Sequence, residues 1–209
     1  ARLMKIIKAS GLFVGWGLGL DPRAEPEIFT RNYDLLGTRE RKSPLIDNEK
    51  IFYVPCASCM HDAFDAAAEA VGAPAADVPA GKIALHVNGG FNCHEILRAL
   101  SVSQVPTTRT VDPFEKIIEN LKGADCIVTN SYHGAYWGSL LGKRVVCIKT
   151  GVPKWDGLSE DIVFAGVKGL GKSIEKARPV SADYLKECRL LNQQFYERLK
   201  ELMKKKGLV

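Results

Sequence analysis

Residues 123–148, GADCIVTNSYHGAYWGSLLGKRVVCI, decide the fold. Cys126 to Thr129 is a short apolar, β-branched run of the kind that forms a buried parallel strand. It ends at Asn130 and Ser131, both good helix N-caps. His133 and Gly134 then open a helix that runs to Leu141 and stops at Gly142, a natural residue just past a helix end. Val145 to Ile148 reads as the next strand. Open α/β sheets bind ligands outside the carboxyl ends of their strands, and the N–H groups of a helix N-terminus favour a phosphate or carboxylate. Asn130, Ser131, Tyr132, His133 and Gly134 all fall in that mouth and are candidate site residues.

Outward from this stretch, strands and helices alternate. Lys82 to Val87 reads as a strand, followed by Asn92 and Glu95 as a capping box for a helix through Leu100. Asp112-Pro113-Phe114-Glu115 reads as a helix start with Asp112 as cap, and Gly123 as its stop. Leu12 to Trp16, Asp34 to Gly37, Ile51 to Val54 and Asp161 to Phe164 are the other expected strands. Residues 1–8 read as a helix end and residues 61–71 as an Ala-rich helix. Residues 182–206 form a long amphipathic helix with Leu185, Cys188, Leu191, Phe195, Leu199 and Leu202 on one stripe. Residues 72–81, rich in Ala and Pro, read as a linker. The expected architecture is therefore α/β with Rossmann-like parallel sheets in two lobes, 1–80 and 81–209.

Bulk properties narrow the function classes. The 209 residues allow a substantial core, and a net charge of +5 suits an anionic substrate. No nucleic-acid motif appears. The start, Met4-Lys5-Ile6-Ile7-Lys8 before the apolar residues 11–20, imitates a signal peptide. Its four glycines and the lack of a small-residue cleavage site favour a strand ending in a glycine loop. Gly15, Gly17 and Gly19 let that backbone approach a ligand, which makes Gly17 a binding candidate. No run approaches the roughly 20 apolar residues of a membrane span. The six cysteines suggest no disulfide framework, and a cytoplasmic setting is expected. Cys56-Ala-Ser-Cys59-Met-His61 lacks a second ligand pair, so it reads as a loop at a strand end rather than a metal site.

The segment IVTNSYHGAYWGSLLGKRVVCI resembles the C-terminal signature of the polysaccharide pyruvyl transferase family: a strand, Ser/Arg-x-His-Gly, and a small-residue helix. LFVGWGLGLD, YDLLGTRERKSP and IFYVPCAS follow the family's order upstream, so the resemblance covers roughly residues 10–155. It implies a fold like the GT-B glycosyltransferases. Family members carry further N-terminal βα units, so the first lobe is expected to be truncated. The implied reaction moves the enolpyruvyl unit of phosphoenolpyruvate onto two hydroxyls of a sugar in a glycan or lipid-linked precursor, forming a cyclic ketal. Phosphoenolpyruvate is the donor substrate, and neither a cofactor nor a metal is implied.

By position the resemblance makes His133 the general acid and Arg39 the binder of carboxylate or phosphate. Lys154 loosely matches a phosphate-holding lysine. Many family members have Arg where this chain has Ser131, which removes one expected anion contact. His61 is a candidate for touching the sugar and His86 for facing the cleft. The Lys204-Lys205-Lys206 run offers a peripheral contact to an anionic membrane. Two other readings stay open. One is a nucleotide-sugar glycosyltransferase using Glu160 or Asp161. The other is a non-catalytic sugar- or anion-binding module.

Overall fold

The protein is described from a computed structural model at residues 11–19, 29, 31–65, 81–88, 91–148 and 155–209. The expected helix at 1–8, most of the helix at 61–71, residues 72–80 of the linker, and Lys154 lie outside those residues. The chain divides into two compact units: residues 1–60, 153–157 and 186–209, and residues 61–152 and 158–185. The sequence divide at residue 80 thus falls inside the range of the second unit. Most of the long C-terminal helix groups with the first, for a packing reason given below.

The second unit holds a five-stranded, all-parallel sheet in the order β5-β4-β6-β7-β8. Its strands are β4 (Ile83–Val87), β5 (Thr107–Arg109), β6 (Cys126–Thr129), β7 (Arg144–Ile148) and β8 (Val163–Ala165). Side chains alternate between the two faces. Leu85, Val87, Cys126, Val128, Val146 and Ile148 share one face with Ile96 of α1 (Cys93–Ala99) and with Leu170 and Ile174 of α4 (Leu170–Lys176). The residues between them, His86, Ile127, Thr129 and Val145, therefore face the other way. There α2 (Phe114–Lys122) and α3 (Tyr132–Leu140) pack. β6 pairs on both sides and is buried along its whole length, as its unbroken apolar run requires.

This order creates a switch point. From β4 the chain passes outward to β5, then returns across β4 to β6 and continues to β7 on the opposite side. In a doubly wound sheet the crevice for ligands opens at the carboxyl ends of the strands flanking that reversal, here β4 and β6.

The first unit holds a three-stranded parallel sheet, β1 (Val14–Leu18), β2 (Leu35–Thr38) and β3 (Ile51–Tyr53), in that order. Leu35, Val54 and Phe195 form its core, with Val14, Trp16, Phe52, Leu199 and Leu202 packed around them. Residues from 186 onward in α5 (Asp183–Lys205) therefore belong with this sheet, while Tyr184 packs edge-on against Tyr136 in the second unit.

β1 begins two residues later than the sequence suggests and runs on through Gly17 to Leu18 instead of ending at Trp16. The pairing register shifts between Gly15 and Leu18. β5 and α4 were not expected from the sequence. The Asp112 cap is also displaced: the helix starts at Phe114 after Pro113. The Asp112 carboxylate instead accepts hydrogen bonds from Arg109 N at 2.6 Å and Lys116 Nζ at 2.8 Å.

Candidate functional site

The mouth of α3 is built by the strand ends beneath it. Thr129, the last residue of β6, donates its hydroxyl hydrogen to the His86 carbonyl at 2.5 Å and accepts from Ser131 N at 3.0 Å. Asn130 Oδ1 accepts from Asn88 N at 2.8 Å, tying the ends of β6 and β4 across the switch point. Ser131 caps α3, its hydroxyl accepting from Gly134 N at 3.5 Å. The Ser131 hydroxyl thus serves the helix end itself. Asn130, Ser131 and Tyr132 are all buried, and Tyr132 stacks on Tyr136.

Gly134 is fixed by a close approach. A Cβ there would lie 2.3 Å from Thr129 Oγ1 and 2.6 Å from His86 Cδ2. The motif glycine thus lets the first turn of α3 sit directly on β4 and β6. Any side chain would push the mouth off the strand ends.

His133, on that first turn, is half-buried, in contrast to its motif neighbours. Its ring stacks on Trp137, one turn later, with centroids 5.0 Å apart and an interplanar angle of 28°. Trp137 also meets Phe114 edge-on at 5.3 Å and His86 at 5.9 Å. Phe114 in turn meets His61 at 4.9 Å. His61, exposed, uses Nδ1 to cap the short turn Asp62–Phe64 by accepting from Ala63 N at 3.1 Å.

His86 is fully buried, with Nδ1 3.1 Å from Thr108 Oγ1. Burial, and then repulsion from His133, pull its pKa from 6.5 to about 4, although Asp112 acts weakly in the other direction. It is therefore a neutral imidazole at physiological pH. The structure thus brings His86, Asn130, Ser131, Tyr132, His133 and Gly134 together, with His61 joined through the ring contacts. Thr129, Thr108, Trp137 and Phe114 complete the cluster.

No family model matches the chain. No curated protein matches it either. Among solved structures it is similar to the wall teichoic acid polymerase TagF, with a TM-score of 0.38 at 13% identity over 88% of this chain and 64% of that one. A substituted form of TagF gives 0.40 at 12% identity over the same shares. The chain thus spans 64% of the length of those two structures. The α/β assignment rests on the parallel sheets described above.

Two candidates lie in the first unit. Gly17 has φ +60°, and a Cβ on it would meet Pro55 O at 2.9 Å and the Cys56 Cα at 3.0 Å. Its observed task is to let β1 pass close to the chain leaving β3. Arg39 follows β2, half-buried, its backbone N–H donating to Leu18 O at 3.1 Å. Its guanidinium lies against the backbone at Gly19. Neighbouring Arg41 pairs with Glu187 at 2.5 Å and lies over the Tyr53 ring at 4.8 Å.

The CxxC segment runs into a 3-10 turn, Ala57–Met60, and neither of its thiols is in a disulfide. Cys59 is buried and accepts from Asn192 Nδ2 at 3.2 Å. Asn192 is a polar residue that sequence reading missed on the apolar stripe of α5. It accepts from Trp16 Nε1 at 2.6 Å and donates to Cys188 O at 2.9 Å and Pro55 O at 3.3 Å. Among the described residues no group of three or more His, Cys, Asp or Glu is arranged to hold a metal ion, and no helix is long and apolar enough to cross a membrane. Asp161 Oδ2 accepts from Ser159 Oγ at 3.3 Å in its own loop and from Ser181 N at 3.2 Å, twenty residues on.

Proposed function

We propose that the chain belongs to a transferase that takes its group from a small anionic donor bound at the mouth of α3. In its specific form the donor is phosphoenolpyruvate and the acceptor a sugar of a glycan or its precursor. The observation that carries the reading is His133, half-exposed on the first turn of α3 beyond the carboxyl end of β6, at the switch point of the sheet. The likeness of the surrounding residues to the pyruvyl transferase signature supports the specific form.

In this reading an anion at the helix mouth favours the charged His133 imidazolium. His133 delivers its proton to the methylene carbon of the donor, making C2 electrophilic. One sugar hydroxyl adds to C2 and returns a proton to the imidazole. The second hydroxyl then adds as the C2–O bond to phosphate breaks, and its proton leaves with the phosphate. One donor and one diol thus give one ketal and one inorganic phosphate. The resemblance also assigns Arg39 and Lys154 as anion binders, an assignment that rests on the sequence alone.

Calorimetric titration tests this with phosphoenolpyruvate, inorganic phosphate and nucleoside diphosphates, on the parent chain, His133→Ala and Arg39→Ala. The reading expects phosphoenolpyruvate to bind and both variants to weaken it. Tight nucleoside diphosphate binding, with none for phosphoenolpyruvate, would replace it with the nucleotide-sugar reading.

A further inference from the structure

The histidine beneath the mouth has one nitrogen that the fold leaves unpaired. His86 Nε2 is buried and has no hydrogen-bond partner, in a residue that is 0% exposed. Such an atom carries an uncompensated desolvation cost, and in native structures it calls for a specific explanation.

Its chemical state follows from the neighbours. The Thr108 hydroxyl has one hydrogen to give and two acceptors in reach, His86 Nδ1 at 3.1 Å and Leu85 O at 3.5 Å. It also accepts from Asn120 Nδ2 at 3.4 Å. With that hydrogen given to Nδ1, the nearer of the two, the neutral ring carries its own hydrogen on Nε2, and this is the tautomer proposed below. Direction follows from the packing. Cδ2, the carbon bonded to Nε2, is the ring atom that a Gly134 side chain would strike. The Cδ2–Nε2 edge of the ring therefore faces the first turn of α3, a helix of nine residues.

We propose that His86 Nε2–H and the N-terminus of α3 form the inner half of a site for one anionic oxygen, from a carboxylate or a phosphate, with His133 on its outer side. This deepens the preceding reading of the same site but does not depend on pyruvyl chemistry. The two histidines divide the work. His86 donates a hydrogen bond as a neutral ring, while His133 keeps the proton-carrying role of the preceding reading. Gly134 is required because any Cβ there would strike His86 Cδ2, the carbon next to Nε2.

The test follows the imidazole nitrogens of the four histidines by proton–nitrogen correlation NMR. Inorganic phosphate, acetate and phosphoenolpyruvate are titrated separately, which distinguishes phosphate from carboxylate recognition. Calorimetry is run in parallel on His86→Leu and His86→Gln. The proposal expects the Nε2–H tautomer in the free protein and a saturable shift of that nitrogen with at least one probe. His86→Leu should weaken that probe about tenfold to a hundredfold. Its melting temperature should be unchanged or higher, because leucine removes an unpaired buried nitrogen. His86→Gln, whose amide reaches the Nε2 position, should recover most of the affinity. Were His86→Leu to unfold, the parent spectrum and His86→Gln would still decide.

An unmoved His86 signal at saturation, parental affinity in His86→Leu, or no binding of any probe would overturn the proposal. Phosphate that shifts His86 without any pyruvyl transfer leaves this inference standing and removes the pyruvyl reading. Transfer with an unmoved His86 does the reverse.

Discussion

Gly134→Ala is the perturbation that most sharply separates local from tertiary control of the site. In an exposed helix interior this change stabilises by up to about 1 kcal/mol, because alanine has the better helix propensity. Here the added Cβ would lie 2.3 Å from Thr129 Oγ1 and 2.6 Å from His86 Cδ2. Neither neighbour is the free end of a flexible chain. Both residues are 0% exposed, Thr129 is bonded to the His86 carbonyl, and His86 is bonded to Thr108. Overpacking of this kind costs roughly 1–3 kcal/mol. The overpacking outweighs the propensity gain, so a net loss of about 1–2 kcal/mol is expected. Urea unfolding followed by tryptophan fluorescence measures it, and the melting temperature should fall by a few degrees. Gly134→Ala combined with Thr129→Ala should recover part of the loss, since it removes the nearest atom. A Gly134→Ala chain as stable as the parent, or more so, would refute the close packing of α3 on the strand ends. The account of the mouth would go with it.

Other outcomes follow from single features. Asn192→Ala leaves the Trp16 indole N–H and the Pro55 carbonyl without partners and should cost about 2–4 kcal/mol in denaturant unfolding. A loss below 1 kcal/mol would contradict the network. The lowered His86 pKa makes the unfolded chain bind more protons than the folded one between about pH 6.5 and pH 4. Stability should therefore fall as pH drops through that window, by up to about 3 kcal/mol, and His86→Leu should flatten that part of the profile. Of the six free thiols, half-buried Cys56 and Cys93 should react first with a thiol dye. Buried Cys59, Cys126, Cys147 and Cys188 should wait for opening, with the Cys126 thiol further protected because burial raises its pKa to about 11. Fast labelling of Cys126 in the folded protein would contradict its place in β6.

Where local signals and tertiary packing agree, the sequence was readable. Cys126–Thr129 forms β6 as expected, because a β-branched run bounded by cap residues has few alternatives. Gly142, at φ +65°, follows the end of α3 where the glycine signal placed it. β5 escaped notice because Thr107-Thr108-Arg109 is short, polar and exposed at both ends. Only pairing with β4 makes it a strand. α4 begins after Gly169 in the left-handed region without a side-chain cap, so the usual start signal is missing. Asn192 sits one turn beyond Cys188 and three residues before Phe195, a spacing that places it on the buried stripe despite its polarity.

The candidate site was legible as a motif but not as a set of tasks. Position alone could not tell that Ser131 and Asn130 would be occupied in holding the helix end and the neighbouring strand, while His133 remained half-exposed. His86 was visible on β4, yet its orphan nitrogen depends on Thr108 and α3, which the sequence does not place beside it. Trp137 had a signal that was not used. Four residues after His133 on a helix, it was bound to share that face.

The most direct measurement is phosphate release from phosphoenolpyruvate, followed by phosphorus NMR with a panel of saccharide acceptors, on the parent chain and on His133→Ala. The account predicts acceptor-dependent release by the parent, with pyruvate carbons recovered in the saccharide, and a loss of at least about a hundredfold in the variant. Equal release by both chains would contradict the role assigned to His133.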